Sequence, residues 1–182
     1  IYLSSIGGNI DLDQVNGTTD VQVTGGSINL SNIEGEKIGC RTSGGPIKGE
    51  NMSGIISMKS SGSDIEVSDM DGEINIKNTE GIIRAHSLGS DLRVIDLRGE
   101  IYLSSIGGNI DLDQVNGTTD VQVTGGSINL SNIEGGKIGC RTSGGPIKGE
   151  NISGIISMKS SGSDIEVSDL DGEISLMTSG GH

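Results

Sequence analysis

The groups in this chain best suited to chemistry are carboxylates. Asp11 and Asp13 stand two residues apart. Asp64, Glu66, Asp69 and Asp71 form a second set, which recurs at Asp164, Glu166, Asp169 and Asp171. Carboxylates at i and i+2 on a strand point the same way. A hard cation wants several such oxygens at once, so weak divalent-cation binding is the chemistry these sets suggest. The competing reading is a solvated charged face. Asp64, Glu66, Asp69 and Asp71 stand as the only candidate metal ligands, and no cofactor is expected.

Other chemistry finds little support. Gly107-Gly108-Asn109-Ile110-Asp111 resembles the start of the calcium-binding nonapeptide repeat, but lacks its fourth-position Gly and sixth-position Asp. His86 is the one internal His, and no Gly-x-Ser-x-Gly elbow accompanies it. Paired carboxylates for glycoside hydrolysis need a cleft, and tight corners leave no loops to wall one. Sugar platforms use exposed aromatic rings, and the chain has two Tyr, no Phe and no Trp. The Gly-rich stretches lack the Gly-Lys-Ser/Thr and the following helix of a phosphate loop. No catalytic residue is assigned, and the chain is expected not to be an enzyme.

Charge and composition narrow the partners. With 12 Lys+Arg and 25 Asp+Glu the formal net charge is −13, which argues against nucleic acid. No run of 18 apolar residues exists, so no membrane insertion by a helix is expected. Cys40 and Cys140 sit at equivalent places without metal-ligand spacing, and are expected as small buried thiols.

The elements that would carry these residues follow from repeats. Residues 1–74 recur at 101–174 with three changes: Glu36/Gly136, Met52/Ile152 and Met70/Leu170. Within each copy, apolar pairs at i and i+2 recur about every nine residues, as in Ile10/Leu12, Ile28/Leu30, Ile38/Cys40, Ile56/Met58 and Ile65/Val67. Period two marks strands with one buried face. Gly closes most units and supplies corners; 32 of the 182 residues are Gly. Short strands with corners at fixed spacing predict a solenoid whose coils bury their faces against neighbours.

Charge stacking decides the strands per turn. A period near 18 stacks Lys48/Glu66/Arg84, Arg93/Asp111 and Lys148/Glu166, four opposite-charge contacts; a period near 27 gives two. At the outward position between the paired apolar residues, neither register stacks like charges. The expected fold is therefore all-β, a single-stranded parallel β-solenoid (β-helix or β-roll) with about two short strands per ~18-residue turn. It forms one continuous domain over 1–179, made of copies 1–100 and 101–179, with 180–182 read as a linker or tag remnant. Eleven units per copy is an odd number, so the second copy should start on the opposite face. Nineteen units give nine or ten coils and a rod about 45 Å long.

The units Gly26-Ser-Ile-Asn-Leu-Ser-Asn-Ile-Glu-Gly35, Ser63-Asp-Ile-Glu-Val-Ser-Asp-Met-Asp-Gly72 and Asp20-Val-Gln-Val-Thr-Gly25 together resemble the bacterial adhesin-like β-strand-repeat (β-solenoid) family. The resemblance implies a non-catalytic structural or adhesive module of a cell-surface or envelope protein, placed extracellularly or on the cell surface, with no catalytic residues to carry over. The alternatives are a cation- or ligand-binding scaffold using the acidic faces, and an engineered or self-assembling solenoid. Uncapped terminal coils add the expectation of end-to-end self-association.

Overall fold

A computed structural model describes residues 1–78 and 80–181; His182 of the expected tag remnant lies outside them. The fold is an all-β parallel solenoid of about ten turns with an ~18-residue repeat. Thirteen strands make it up: β1 (Tyr2–Ser5), β2 (Ile10–Asn16), β3 (Thr19–Val23), β4 (Ile28–Thr42), β5 (Ile47–Ser60), β6 (Ile65–Asn78), β7 (Glu80–Ser87), β8 (Asp91–Ser105), β9 (Ile110–Asn116), β10 (Thr119–Val123), β11 (Ile128–Thr142), β12 (Ile147–Ser160) and β13 (Ile165–Thr178). Every pairing is parallel, and β4 to β6 and β11 to β13 each run across both faces of the rod.

Two facing columns lie at the centre of the core, flanked by further apolar columns such as Val21, Cys40, Met58 and Ile76. On one face Ile10, Ile28, Ile47, Ile65, Ile83, Ile101, Thr119, Ile138, Ile156 and Ile174 stack in register. On the other, Thr19, Ile38, Ile56, Ile74, Leu92, Ile110, Ile128, Ile147 and Ile165 do the same. A β-branched side chain holds one rotamer and fits a pleated ladder, so Ile repeats cleanly from coil to coil. Thr119 interrupts its column, and its buried hydroxyl has no hydrogen-bond partner. Thr119→Val keeps the shape and removes that unmet group. It is expected to raise unfolding free energy by about 1 kcal/mol in a denaturant titration, and a fall in the midpoint would contradict this.

The sequence presents the Gly corners as equivalent, but the structure separates two kinds. Gly17, Gly54, Gly72, Gly81, Gly99, Gly117, Gly154 and Gly172 have positive φ. At Gly54, Gly72, Gly99, Gly154 and Gly172 the strand continues across the bend, whereas at Gly17 and Gly117 it breaks for two residues. Three residues before most of these positive-φ glycines a left-handed polar residue (Gln14, Asn51, Asp69, Asp96, Gln114, Asn151 or Asp169) bends the strand. Many of the other corners are turns with Gly-Gly or Gly-Ser at their tip, closed by an inward hydroxyl. Thr42 Oγ1, for example, accepts from the Gly45 N–H at 3.1 Å and donates to the Gly26 carbonyl of the coil before at 3.2 Å.

The odd unit count has the expected consequence. Cys40 stacks between Val21 and Met58 on one face, and Cys140 between Val121 and Met158 on the other. The second copy is thus turned half a revolution about the rod. The coil around position 36 is one residue longer, because the register slips between Glu34 and Lys37. One of the three differences between the copies, Glu36/Gly136, sits at this slip.

Candidate functional site

The outward side chains form columns along the rod, and the space between two columns is a shallow axial channel. The larger, about 810 Å³, runs between Asp11, Asn29, Lys48, Glu66, Arg84 and Tyr102 on one side and Asp13, Ser31, Glu50, Ser68 and His86 on the other. The second, about 650 Å³, holds the equivalents Asp111, Asn129, Lys148, Glu166, Asp113, Ser131, Glu150 and Ser168 on the opposite face, with Arg93 added. The half-turn between copies therefore displays one polar pattern on both sides of the rod.

Internal hydrogen bonds already occupy much of this pattern. Asn29 Nδ2 donates to Asp11 at 2.5 Å, and Ser31 Oγ and Asn32 Nδ2 donate to Asp13 at 2.7 and 2.8 Å. The second copy repeats this at Asp111 and Asp113, with distances of 2.6 to 2.8 Å. Asn32 first and Ser31 second hold the Asp13 carboxyl below the usual carboxylate range, and Asn132 and Ser131 do the same for Asp113. Both groups are therefore charged acceptors at neutral pH rather than proton donors.

The carboxylates singled out in the sequence do not converge. Asp64 Oδ1 accepts from the Ile82 N–H at 2.9 Å, and Glu66 pairs with Lys48 at 3.2 Å. Asp69 is the left-handed residue of its strand, and Asp71 stacks beside Ser53. They are strung along β6, where i, i+2 geometry points some outward together but gathers no cage. Among the described residues no group of three or more His, Cys, Asp or Glu is placed to hold a metal ion.

Two of the four charge contacts expected from the 18-residue period are ion pairs: Lys48–Glu66 at 3.2 Å and Lys148–Glu166 at 3.1 Å. Glu66/Arg84 and Arg93/Asp111 are in register but form no ion pair among the described residues. Arg84 lies instead over the Tyr102 ring, 5.4 Å from its centroid.

His86 Nδ1 meets Ser104 Oγ at 2.9 Å, a contact that 18-residue spacing would have found. The pair is exposed on the ladder, and no carboxylate among the described residues hydrogen-bonds the imidazole, so it lacks the orienting group of a catalytic triad. The thiols of Cys40 and Cys140 are buried, which together with the nearby Asp20 and Asp120 charges pushes each up to about 12. They stay protonated and act as small core side chains.

Sequence reasoning missed one cationic feature. The outward column next to the one used for the charge test stacks Arg41 on Lys59 and Lys59 on Lys77. A like-charge stack of cations therefore exists beside the position used for the charge test, and stepping 18 residues from Arg41 would have shown it.

Compared with family models, curated proteins and solved structures, the chain finds no match in any of the three.

Proposed function

We propose that the chain is a non-catalytic structural or adhesive β-solenoid module. The observation that carries this reading is the geometry of the surface. Corners close in a few residues, and the depressions between ladder columns are shallow channels in which Asp13 and Asp113 are held as hydrogen-bond acceptors. Such a surface presents a regular array and does not enclose a reacting atom. Placement on a cell surface or envelope rests on the adhesin-like unit pattern in Gly26–Gly35 and Ser63–Gly72 alone.

The terminal coils of this span carry exposed apolar groups, Ile1 and Tyr2 at one end and Ile174, Leu176 and Met177 at the other. Their outer edges are open templates for another strand. The 182-residue chain on its own is expected to associate end to end, in the place that neighbouring coils of a longer chain would take.

Scattering and a polysaccharide panel test the reading together. The expected result is a thin particle about 45 Å long per chain, lengthening with concentration, and no shortening of any polymer. New reducing ends from any polysaccharide would overturn it.

A further inference from the structure

The cationic column is the feature least accounted for by the fold. Arg41, Lys59 and Lys77 are exposed and follow one another in strand register, about 4.8 Å apart from coil to coil. Like charges placed directly opposite in a sheet destabilise it. Opposite outward charges do pair elsewhere on the rod, as in Lys48–Glu66 and Lys148–Glu166, and one acidic pair, Glu73 and Asp91, also stands in register. Here only Lys77 has an acid, Asp96 of the next coil. Among the described residues Arg41 and Lys59 have neither an ion pair nor a side-chain hydrogen bond. Alongside the column stand small groups, Gly39, Ser57 and Asn75, which leave the three cations unscreened by bulk.

We propose that the Arg41–Lys59–Lys77 column is a binding site for a linear anionic glycan, with fixed negative groups stepping along the rod axis. The proposal deepens the adhesive part of the reading above and rests on it. Charge complementarity commits the site to a polyanion. The net charge of −13 does not cancel this, because at physiological salt a charge is felt over only about 8 Å. The scarcity of aromatics decides between polymers: single-stranded nucleic acid needs a ring for each base, and the flanking column carries only Tyr2, two coils before Gly39, with none beside Arg41, Lys59 or Lys77. Glycan hydroxyls need only small polar neighbours, which Ser57 and Asn75 supply. A shorter version, Arg141 stacked on Lys159, recurs half a turn away, where Met177 takes the third place.

Dextran sulfate is the probe, with uncharged dextran and single-stranded DNA in parallel, at low and at physiological salt. The parent chain is expected to bind dextran sulfate, more weakly as salt rises. R41Q/K59Q/K77Q together should lose about tenfold or more in affinity, while Lys137→Gln, on the other face, should not change it. The triple variant should melt close to the parent, since removing the like-charge stack offsets the loss of the exposed Lys77–Asp96 pair; that readout shows the loss is not unfolding. No binding by the parent, or equal binding by parent and triple variant, overturns the site but leaves the module, which is tested by particle shape and polymer integrity. Binding of single-stranded DNA as tight as dextran sulfate, with the same sensitivity to the triple variant, overturns the assignment to a glycan.

Discussion

Gly54→Val is expected to abolish the folded rod or to cost more than about 4 kcal/mol. Two independent penalties act at this position. The backbone has φ of +124°, which strains an L side chain by about 1–3 kcal/mol. A Cβ there would also fall 1.7 Å from the Gly35 carbonyl oxygen of the preceding coil. That neighbour is backbone rather than the end of a flexible side chain, so relief requires the coil itself to shift. Gly154 repeats the situation, with φ of +141° and the Gly135 oxygen at 1.7 Å, and Gly154→Val should cost the same.

The contacts repeat along the whole rod. Gly17, Gly35, Gly54 and Gly72 form one spine. A second runs through Gly81, Gly99, Gly117, Gly135, Gly154 and Gly172, each Cα facing the glycine one coil before. Position 136 is the contrast: a Cβ on Gly136 would meet nothing within 4 Å, and the first copy carries Glu36 there. Gly136→Glu is expected to shift stability by less than about 0.5 kcal/mol. Thermal and denaturant melts followed by circular dichroism measure both. A Gly54→Val chain with the parent's midpoint would mean that the close stacking of these corners is wrong.

Ile47→Ala and Ile147→Ala are each expected to cost about 2–5 kcal/mol, by equal amounts. Both side chains have no exposed surface. Ile47 lies between Ile28 and Ile65, Ile147 between Ile128 and Ile165. The two lie on opposite faces, yet each sees only its own and the adjoining coils, as a quasi-one-dimensional stack requires. They are also several coils apart, so the double variant should lose the sum of the two within about 0.5 kcal/mol. Calorimetry of the four proteins closes the cycle. A coupling much above that value would show a core contact between coils that are not neighbours, which the stacked columns do not contain.

The period-two Ile pairs and the nine-residue Gly spacing make the coil legible from sequence, because in a solenoid local spacing is the fold. Lys48/Glu66 and Lys148/Glu166 were legible too, since one 18-residue step places them side by side. The difference between corners was not. Gly35 and Gly44 look alike in a string of residues, and only the path of the chain shows that one lies on a continuing strand and the other in a turn. The acidic set at Asp64, Glu66, Asp69 and Asp71 looked like a cluster because its members are close in sequence. In the rod, closeness across coils matters more, and there these groups meet Ile82, Lys48 and Ser53 rather than one another.

By itself the sequence determines an all-β rod with two strands per turn, a core of stacked Ile, and a half-turn between its copies. These follow from periodicity, and periodicity survives any detail of side-chain placement. Tertiary structure decides what the surface is. The slip between Glu34 and Lys37 makes one coil a residue longer and resets which outward groups become neighbours beyond it. Beyond it the 18-residue step stacks Arg41, Lys59 and Lys77 in a column, and across coils the carboxylates of β6 meet partners other than one another. The physical reason is distance: neighbouring coils lie about 4.8 Å apart, while residues along one strand that share a face lie nearly 7 Å apart.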